Sequence, residues 1–311
     1  MSRVIYGPVP SRRLGVSLGV DIIPYKTCSY DCIYCQLGKT THQTLERKSY
    51  IETSSLLKEL KETINLNSDI DYITFSGSGE PTLNKDIGQM IEKVKKITQI
   101  PVAILTNGSL LWEDKVREDL SQADLVVPSL DAVSDEIFQR VNRPMKDWGI
   151  EKVLDGIKIF CEQFKGKIYL EIMLVKNIND SEEKIRKINQ FVKHLEIDKI
   201  QLNTVIRPPA DTAAKPLNNE ELIKLKTLFD PKLQVELIAD FKRETSKVYR
   251  IDLEQAIIEL LKRRPARKEE MAVSLGVHPN EIVKYLQILE KKKIIRRTQT
   301  EEKCGVYFVI A

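Results

Sequence analysis

The sequence predicts an α/β protein built on a parallel sheet, followed by a small C-terminal module of three helices and two strands. Three observations predict it. Short β-rich runs alternate with amphipathic helical patterns up to about residue 210, which implies right-handed βαβ units. Six such runs precede that point, fewer than the eight of a closed barrel. A charged run at 242–250 then separates a segment of different rhythm. The expected domains are therefore 1–241 and 251–311, joined by the linker 242–250, in line with a prior of about one domain per 150 residues.

The elements follow in order. Residues 14–24 (LGVSLGVDIIP) read as the first strand, running into a cysteine-rich loop. Thr53 and Ser54 are N-cap candidates for a helix to about residue 65, with Leu56, Leu57, Leu60 and Ile64 on one face. Residues 71–76 (DYITFS) form a strand and Gly77-Ser78-Gly79-Glu80-Pro81 a turn. A helix over 85–98 leads to the strand 101–106 (PVAILT), ended by Asn107-Gly108. A helix around 112–121 precedes the strand 124–129, and helical patterns follow near 134–142 and 149–164. The strand 167–175, the helix 181–195, the strand 199–205 and the helix 218–229 complete the first domain. In the C-terminal module, helices are expected over 252–263, over 267–275 (stopped by Gly276) and over 278–292 (started by Pro279 and Asn280). Strands at 294–297 and 306–310 then flank a polar tip at 299–303.

Composition excludes several classes. At 42% hydrophobic and 30% charged, the chain is neither collagen-like nor mainly disordered. No apolar stretch approaches the roughly 20 residues needed to span a bilayer. The N-terminus MSRVIYGPVPSRRLG carries no apolar signal-peptide core, so a cytoplasmic protein with no membrane partner is expected. A net charge of +4 is too mild to imply nucleic-acid binding by itself.

Of five cysteines, three are packed into Cys28-Ser-Tyr-Asp-Cys32-Ile-Tyr-Cys35. In a chain expected to be cytosolic, such clustering points to metal or redox work rather than a disulfide framework. Zinc wants four protein ligands in a structural site, and His42 keeps a Cys3His site open. Soft thiolates also suit iron–sulfur clusters. Three thiolates on a four-iron cluster would leave one iron free to bind a substrate or cofactor.

The C-x3-C-x2-C spacing, with the aromatic Tyr34 before the last cysteine, resembles the signature of radical S-adenosylmethionine (SAM) enzymes. The resemblance implies a partial (βα)6 TIM-type barrel and two cofactors, a [4Fe-4S] cluster on Cys28, Cys32 and Cys35, and SAM chelated by the open iron. It implies reductive cleavage of SAM to a 5′-deoxyadenosyl radical that abstracts a substrate hydrogen, with an external electron donor. Gly77-Ser78-Gly79-Glu80 is similar to the family's Gly-Gly-Glu motif, whose residues bind the SAM amino group. Its departure from Gly-Gly concerns only fine geometry. Ser129, after the fourth strand, is the candidate for the SAM ribose or carboxylate.

The other strand ends carry further candidates, since ligands sit beyond the carboxyl ends of such strands. These are Asn107, Asp131, Asn203, Thr204 and Arg207, with Glu171 and Met173 on one face of their strand. Arg207 could hold a carboxylate or phosphate through two parallel hydrogen bonds. Plain alternatives stand beside these: an Asn-Gly turn at Asn107, a solvated Lys176, and a surface Arg207 stiffened by Pro208-Pro209. Cys161, on an amphipathic helix, reads as a buried apolar residue. With Cys304 remote from it and no cysteine before Cys28, a single cluster is expected.

The stretch Gly7-Pro-Val-Pro-Ser11-Arg12-Arg13-Leu-Gly15, continued by Ser17-Leu-Gly-Val-Asp21, Pro24 and the cysteine run to Gly38, resembles a radical SAM group related to wyosine-type tRNA synthases. Arg12 and Arg13 could bind an anionic substrate or tie down the N-terminal arm. The C-terminal pattern resembles a winged helix-turn-helix, whose third helix enters the DNA major groove. Residues 251–311 hold 12 Lys/Arg and 9 Asp/Glu. Lys291-Lys-Lys293 with Arg296-Arg297 could contact RNA or DNA phosphates, or the module could bind protein or the catalytic domain itself. Two functions compete: a radical SAM enzyme acting on an unidentified substrate such as RNA, and a transcription regulator sensing SAM or redox state through the cluster. A pure sensor needs the cysteines but not Glu80 and the strand-end polar residues, so their joint presence favours the enzyme.

Overall fold

A computed structural model describes residues 4–66, 69–238, 253–275, 277, 279–299 and 306–311. Cys304, the linker 242–250, Gly276, His278 and most of the polar tip lie outside them.

Ten strands belong to the first domain: β1 Ile5–Ser11, β2 Gly15–Val20, β3 Thr27–Cys28, β4 His42–Gln43, β5 Tyr72–Phe75, β6 Val102–Thr106, β7 Leu125–Pro128, β8 Lys167–Leu174, β9 Lys199–Thr204 and β10 Val235–Leu237. The helices between them are α1 Thr53–Asn65, α2 Ile87–Ile97, α3 Asp114–Leu120, α4 Asp135–Val141, α5 Ile150–Gln163, α6 Glu182–Val192 and α7 Asn219–Lys226. Eight strands form one sheet in the order β1-β2-β5-β6-β7-β8-β9-β10. All its pairings are parallel except β1 with β2. The six strands read from the sequence are the consecutive run β2 to β9, without the short β3 and β4. They are largely buried because parallel sheets are covered on both faces: in β7 every residue is buried, and in β9 every residue after Lys199.

β1 and β10 were not anticipated. β1 carries Pro8 and Pro10, which argue against a central strand but are tolerated at a sheet edge. β10 has only three residues, of which Glu236 is exposed, too short to show a period. The expected caps of α1 are also displaced. Glu52 is the N-cap and makes no side-chain cap bond, because Thr53 already lies in the first turn and its hydroxyl turns to Gln89. The apolar face holds: Leu56 and Leu60 are buried, with Leu57 and Ile64 packed against the core.

The ladder between β7 and β8 stops after Val126↔Ile168 and touches again at Ser129↔Glu171. Pro128 has no N–H to offer a ladder, and this opens the sheet at the end that carries the polar residues.

The C-terminal residues form α8 Leu253–Arg263, α9 Lys268–Leu275 and α10 Pro279–Lys291, then the antiparallel pair β11 Ile295–Gln299 and β12 Val306–Ile310. They have their own core, including Ile257, Leu260, Met271, Ile282, Leu286, Leu289 and Phe308, with Val9 of β1 packed against it. α8 and α9 pack on β1, covering a sheet edge that would otherwise stay open to strand pairing. Tyr307, 1% exposed, donates to the Ile206 carbonyl at 2.8 Å. Among the described residues no helix is long and apolar enough to cross a membrane.

Candidate functional site

The strand ends surround a cavity of about 350 Å3 whose wall includes Cys28, Cys32 and Cys35. The three are free, half-buried thiols. Cys28 sits in β3; Cys32 and Cys35 follow in a loop closed by a Cys35 N–H to Cys32 carbonyl bond of 3.1 Å. That loop is tied to the strand-two turn. Thr27 bridges Gly79, and Glu80 N donates to the Thr27 carbonyl at 3.2 Å. A Cβ on Gly79 would stand 1.8 Å from that carbonyl oxygen. The close approach that requires glycine is therefore to the backbone beside Cys28. Gly77 adopts φ +138°, a region that favours glycine, and the Ser78 hydroxyl and N–H both donate to Asp21.

Glu80 is 2% exposed. Its Oε1 accepts from Thr82 N, Thr82 Oγ1 and Thr106 Oγ1, and its Oε2 from Asn107 N at 2.7 Å. Burial raises its pKa above the usual carboxylate value, against these donors. Oε2 keeps one lone pair and could still accept from an amine. Asn107 carries the link on to the cysteines: its Nδ2 donates to Ser29 Oγ at 2.8 Å and lies 3.5 Å from Cys28 Sγ.

On the other side, Asp131 accepts from Tyr34 Oη (2.5 Å), Asn142 Nδ2 (2.7 Å) and Met173 N (2.9 Å). Burial pushes its carboxyl up to about 6. Asn142 Nδ2 also lies 3.6 Å from Cys32 Sγ. Ser129, Glu171, Met173, Thr204 and Arg207 line the cavity. Asn203 does not reach its wall. At 1% exposure it lies behind, donating to Glu171 and accepting from Arg12. Arg13 is fixed on Glu171, while Lys176 pairs with Glu221 away from the cavity. Cys161 is buried in α5 among core residues.

The thiols fit a bound cluster better than they fit water. Burial, followed by the Glu80 carboxylate, pushes Cys28 up to about 12. Burial holds Cys32 and Cys35 above the ordinary thiol value as well. Thiolates here therefore need a cationic group between them. Two amide donors, from Asn107 and Asn142, already face sulfur. Tyr30 Oη, buried in the same wall, has no hydrogen-bond partner. His42 is exposed on β4 and takes no part in the wall. Among the described residues, no three His, Cys, Asp or Glu side chains are drawn together as one metal ion would require.

Sequence reasoning did not find Asn142, nor Tyr30, Arg263 at the end of α8 and Arg264 just after it, the last three of which line the cavity. Arg263 stacks over Tyr6 and lies 3.3 Å from Asp21. No local spacing signals these contacts, because each depends on packing between distant segments.

Fold and cavity together define an α/β protein whose sheet gathers three free thiols, a glycine turn and polar strand ends at one rim. The Radical SAM superfamily model matches residues 22–188, and the chain belongs to that superfamily, in the group of UPF0026 proteins. It is 38% identical to a UPF0026 protein of Methanocaldococcus jannaschii, over 86% of this chain and 84% of that one. It is 41% identical over 94% of its length to the GTPase Obg of Brachyspira hyodysenteriae, of which it spans 43%. Among solved structures, it is similar to Streptococcus suis SuiB bound to precursor peptide SuiA, with a TM-score of 0.54 and 17% identity. That match covers 71% of this chain and 48% of SuiB. The protein is a radical SAM iron–sulfur enzyme.

Proposed function

We propose that the protein holds a single [4Fe-4S] cluster on Cys28, Cys32 and Cys35, cleaves SAM reductively, and starts radical modification of a substrate bound in the same cavity. The observation that carries this reading is the convergence of the three thiols with Gly77–Glu80, Asn107 and Ser129 on one wall. When bound, a cluster with three thiolate ligands supplies an open iron for SAM and passes on one electron from an external donor. The chain's own residues do the rest. Asn107 and Asn142 donate to the sulfurs. The turn Gly77–Glu80, held by Asp21 and Thr27, presents backbone and the free lone pair of Glu80 to the SAM amino group. Ser129, beside the opening at Pro128, meets the ribose or carboxylate. Tyr34, fixed on Asp131, walls the cofactor side. Enclosure by Leu105, Met173 and Val205 excludes water from the reacting centre.

The run β2 to β9 serves in this reading as a partial (βα)6 barrel, and residues 253–311 as a winged-helix module. Lys291, Lys293 and Arg296 are exposed and suit contact with an RNA or DNA backbone. Lys292 and Arg297 are already paired with Glu254 and Glu290. The resemblance of residues 7–38 to a group related to wyosine-type tRNA synthases makes RNA the first substrate class to try.

The test is anaerobic reconstitution with iron and sulfide, reduction, addition of SAM and assay for 5′-deoxyadenosine. The wild-type protein forms it and Cys32→Ala does not. Undiminished product from a Cys32→Ala protein with a fully loaded cluster would sink the ligand assignment.

A further inference from the structure

Two guanidinium groups meet in the cavity from different parts of the fold. Arg207 comes from the loop after β9, and Arg264 from the residue that follows α8. Both line the cavity that holds the three thiols. Their side chains are only 14% and 11% exposed. Arg207 Nη1 reaches Gln36 Oε1, one residue past Cys35, at 3.3 Å. Among the described residues, the one carboxylate paired with either is Glu270 of α9, at 3.7 Å from Arg207 and 3.9 Å from Arg264. Glu270 also serves Arg267 at 3.4 Å. Arg207 Nε and Arg264 Nη2 are buried and have no hydrogen-bond partner.

Buried N–H donors without acceptors, on cations that share one distant carboxylate, are costly unless a ligand supplies the missing oxygens and charge. Arg207 bears the strain of this arrangement: burial, then the neighbouring charge of Arg264, pushes it down to about 9. The docking of α8 and α9 on β1 brings the pair together, and it also anchors Arg263 on Asp21 and Tyr6. A carboxylate would add one charge and two oxygens to a cluster that already has Glu270. A phosphate monoester brings a charge of about −1.5 to −2 and three acceptor oxygens. That complements two forked guanidiniums brought together from different parts of the fold.

We propose that Arg207 and Arg264 form a binding site for a dianionic phosphate group in the wall of the cavity, assembled only when the C-terminal module is docked. Where the phosphate belongs to the substrate, this extends the enzyme reading above: it makes the substrate a phosphate ester whose reacting carbon lies on the thiol side of the clamp. The C-terminal module then contributes directly to the substrate site.

The experiment is calorimetric titration of the full-length, cluster-loaded protein with inorganic phosphate, ribose 5-phosphate, ribose and acetate, at constant ionic strength and with saturating SAM. Inorganic phosphate and ribose 5-phosphate bind; ribose and acetate bind at least tenfold more weakly. Arg264→Gln and Arg207→Gln each weaken phosphate binding at least tenfold, and Arg264→Lys recovers part of the loss. Melting temperatures of all variants are taken, and the Lys variant serves where a Gln variant fails to fold. Tighter binding of the ester than of the free ion assigns the site to substrate; the reverse order assigns it to a free phosphate ligand. Equal binding of acetate, phosphate binding unaffected by either arginine, or expulsion of phosphate by SAM overturns the proposal. Wild-type protein that forms 5′-deoxyadenosine yet binds no phosphate overturns this site alone. Protein that binds phosphate through the arginines yet never cleaves SAM overturns the enzyme reading alone.

Discussion

Gly79→Ala places one methyl group where the strand-two turn crosses the backbone of the cysteine loop. The new Cβ would lie 1.8 Å from Thr27 O, 2.7 Å from Ile23 Cγ2 and 2.9 Å from Thr27 C. Two of these are backbone atoms, so no rotamer change relieves the clash. The turn must move outward by about an ångström or more, which breaks the Glu80 N–H to Thr27 bond. Overpacking of this kind costs about 1–3 kcal/mol and the lost bond about 0.5–1.5 kcal/mol. A destabilisation of about 2–4 kcal/mol should lower the melting temperature of this domain by on the order of 5–15 °C. The displacement also pulls Glu80 from Asn107, and Asn107 from Cys28, so bound iron per chain should fall with it. Calorimetry and iron analysis of the reconstituted protein measure both. Gly149→Ala is the control, since its Cβ meets nothing nearer than Asp135 Oδ1 at 3.6 Å; it should cost about 1 kcal/mol or less. A Gly79→Ala protein with the melting temperature and iron content of the control would refute the tie between turn and cysteine loop.

Further outcomes follow from the same geometry. Asn107→Ala removes the amide beside Cys28 Sγ and should weaken cluster retention about 10–100-fold, read by chelator challenge; retention like wild type removes Asn107 from the sulfur environment. Glu80→Ala should weaken SAM binding, and an unchanged affinity takes Glu80 out of the site. Burial pushes Cys161 up to about 12, from an ordinary value of 9.0. The neutral thiol is favoured in the folded state, so its stabilisation is present below pH 9 and is lost as pH rises towards 12. Cys161→Ala should flatten that part of the stability profile, and an unaltered slope would show that other groups set it. Tyr307→Phe deletes the bond to the Ile206 carbonyl and should cost about 0.5–1.5 kcal/mol, with faster amide exchange in α8 and α9; exchange identical to wild type would mean that this bond does not hold the module down.

The six parallel strands and the ten helices were legible because each has a period and a boundary that local chemistry imposes. Leu56 and Leu60 repeat at helical spacing. Asn107-Gly108 ends one strand, and Pro279 starts a helix. The cysteine run was legible for another reason: three thiols within eight residues stay together under almost any fold. β1 was hidden because Pro8 and Pro10 mask a strand whose place at the edge is known only when the sheet is assembled.

The candidate site divides along the same line. The thiol trio, the glycine turn and the polar residues at strand ends can be read along the chain, because their chemistry is local and their position follows from the βα rhythm. How they are used depends on the folded packing. Packing commits most of Glu80 to Thr82, Thr106 and Asn107, sets Asn203 behind the wall, and brings Asn142 to Cys32 and Arg264 near Arg207. The contact of Asn142 with Cys32 joins residues 110 apart in the chain. Such contacts depend on how helices and modules pack, and side-chain packing between distant elements leaves no periodic trace along the chain.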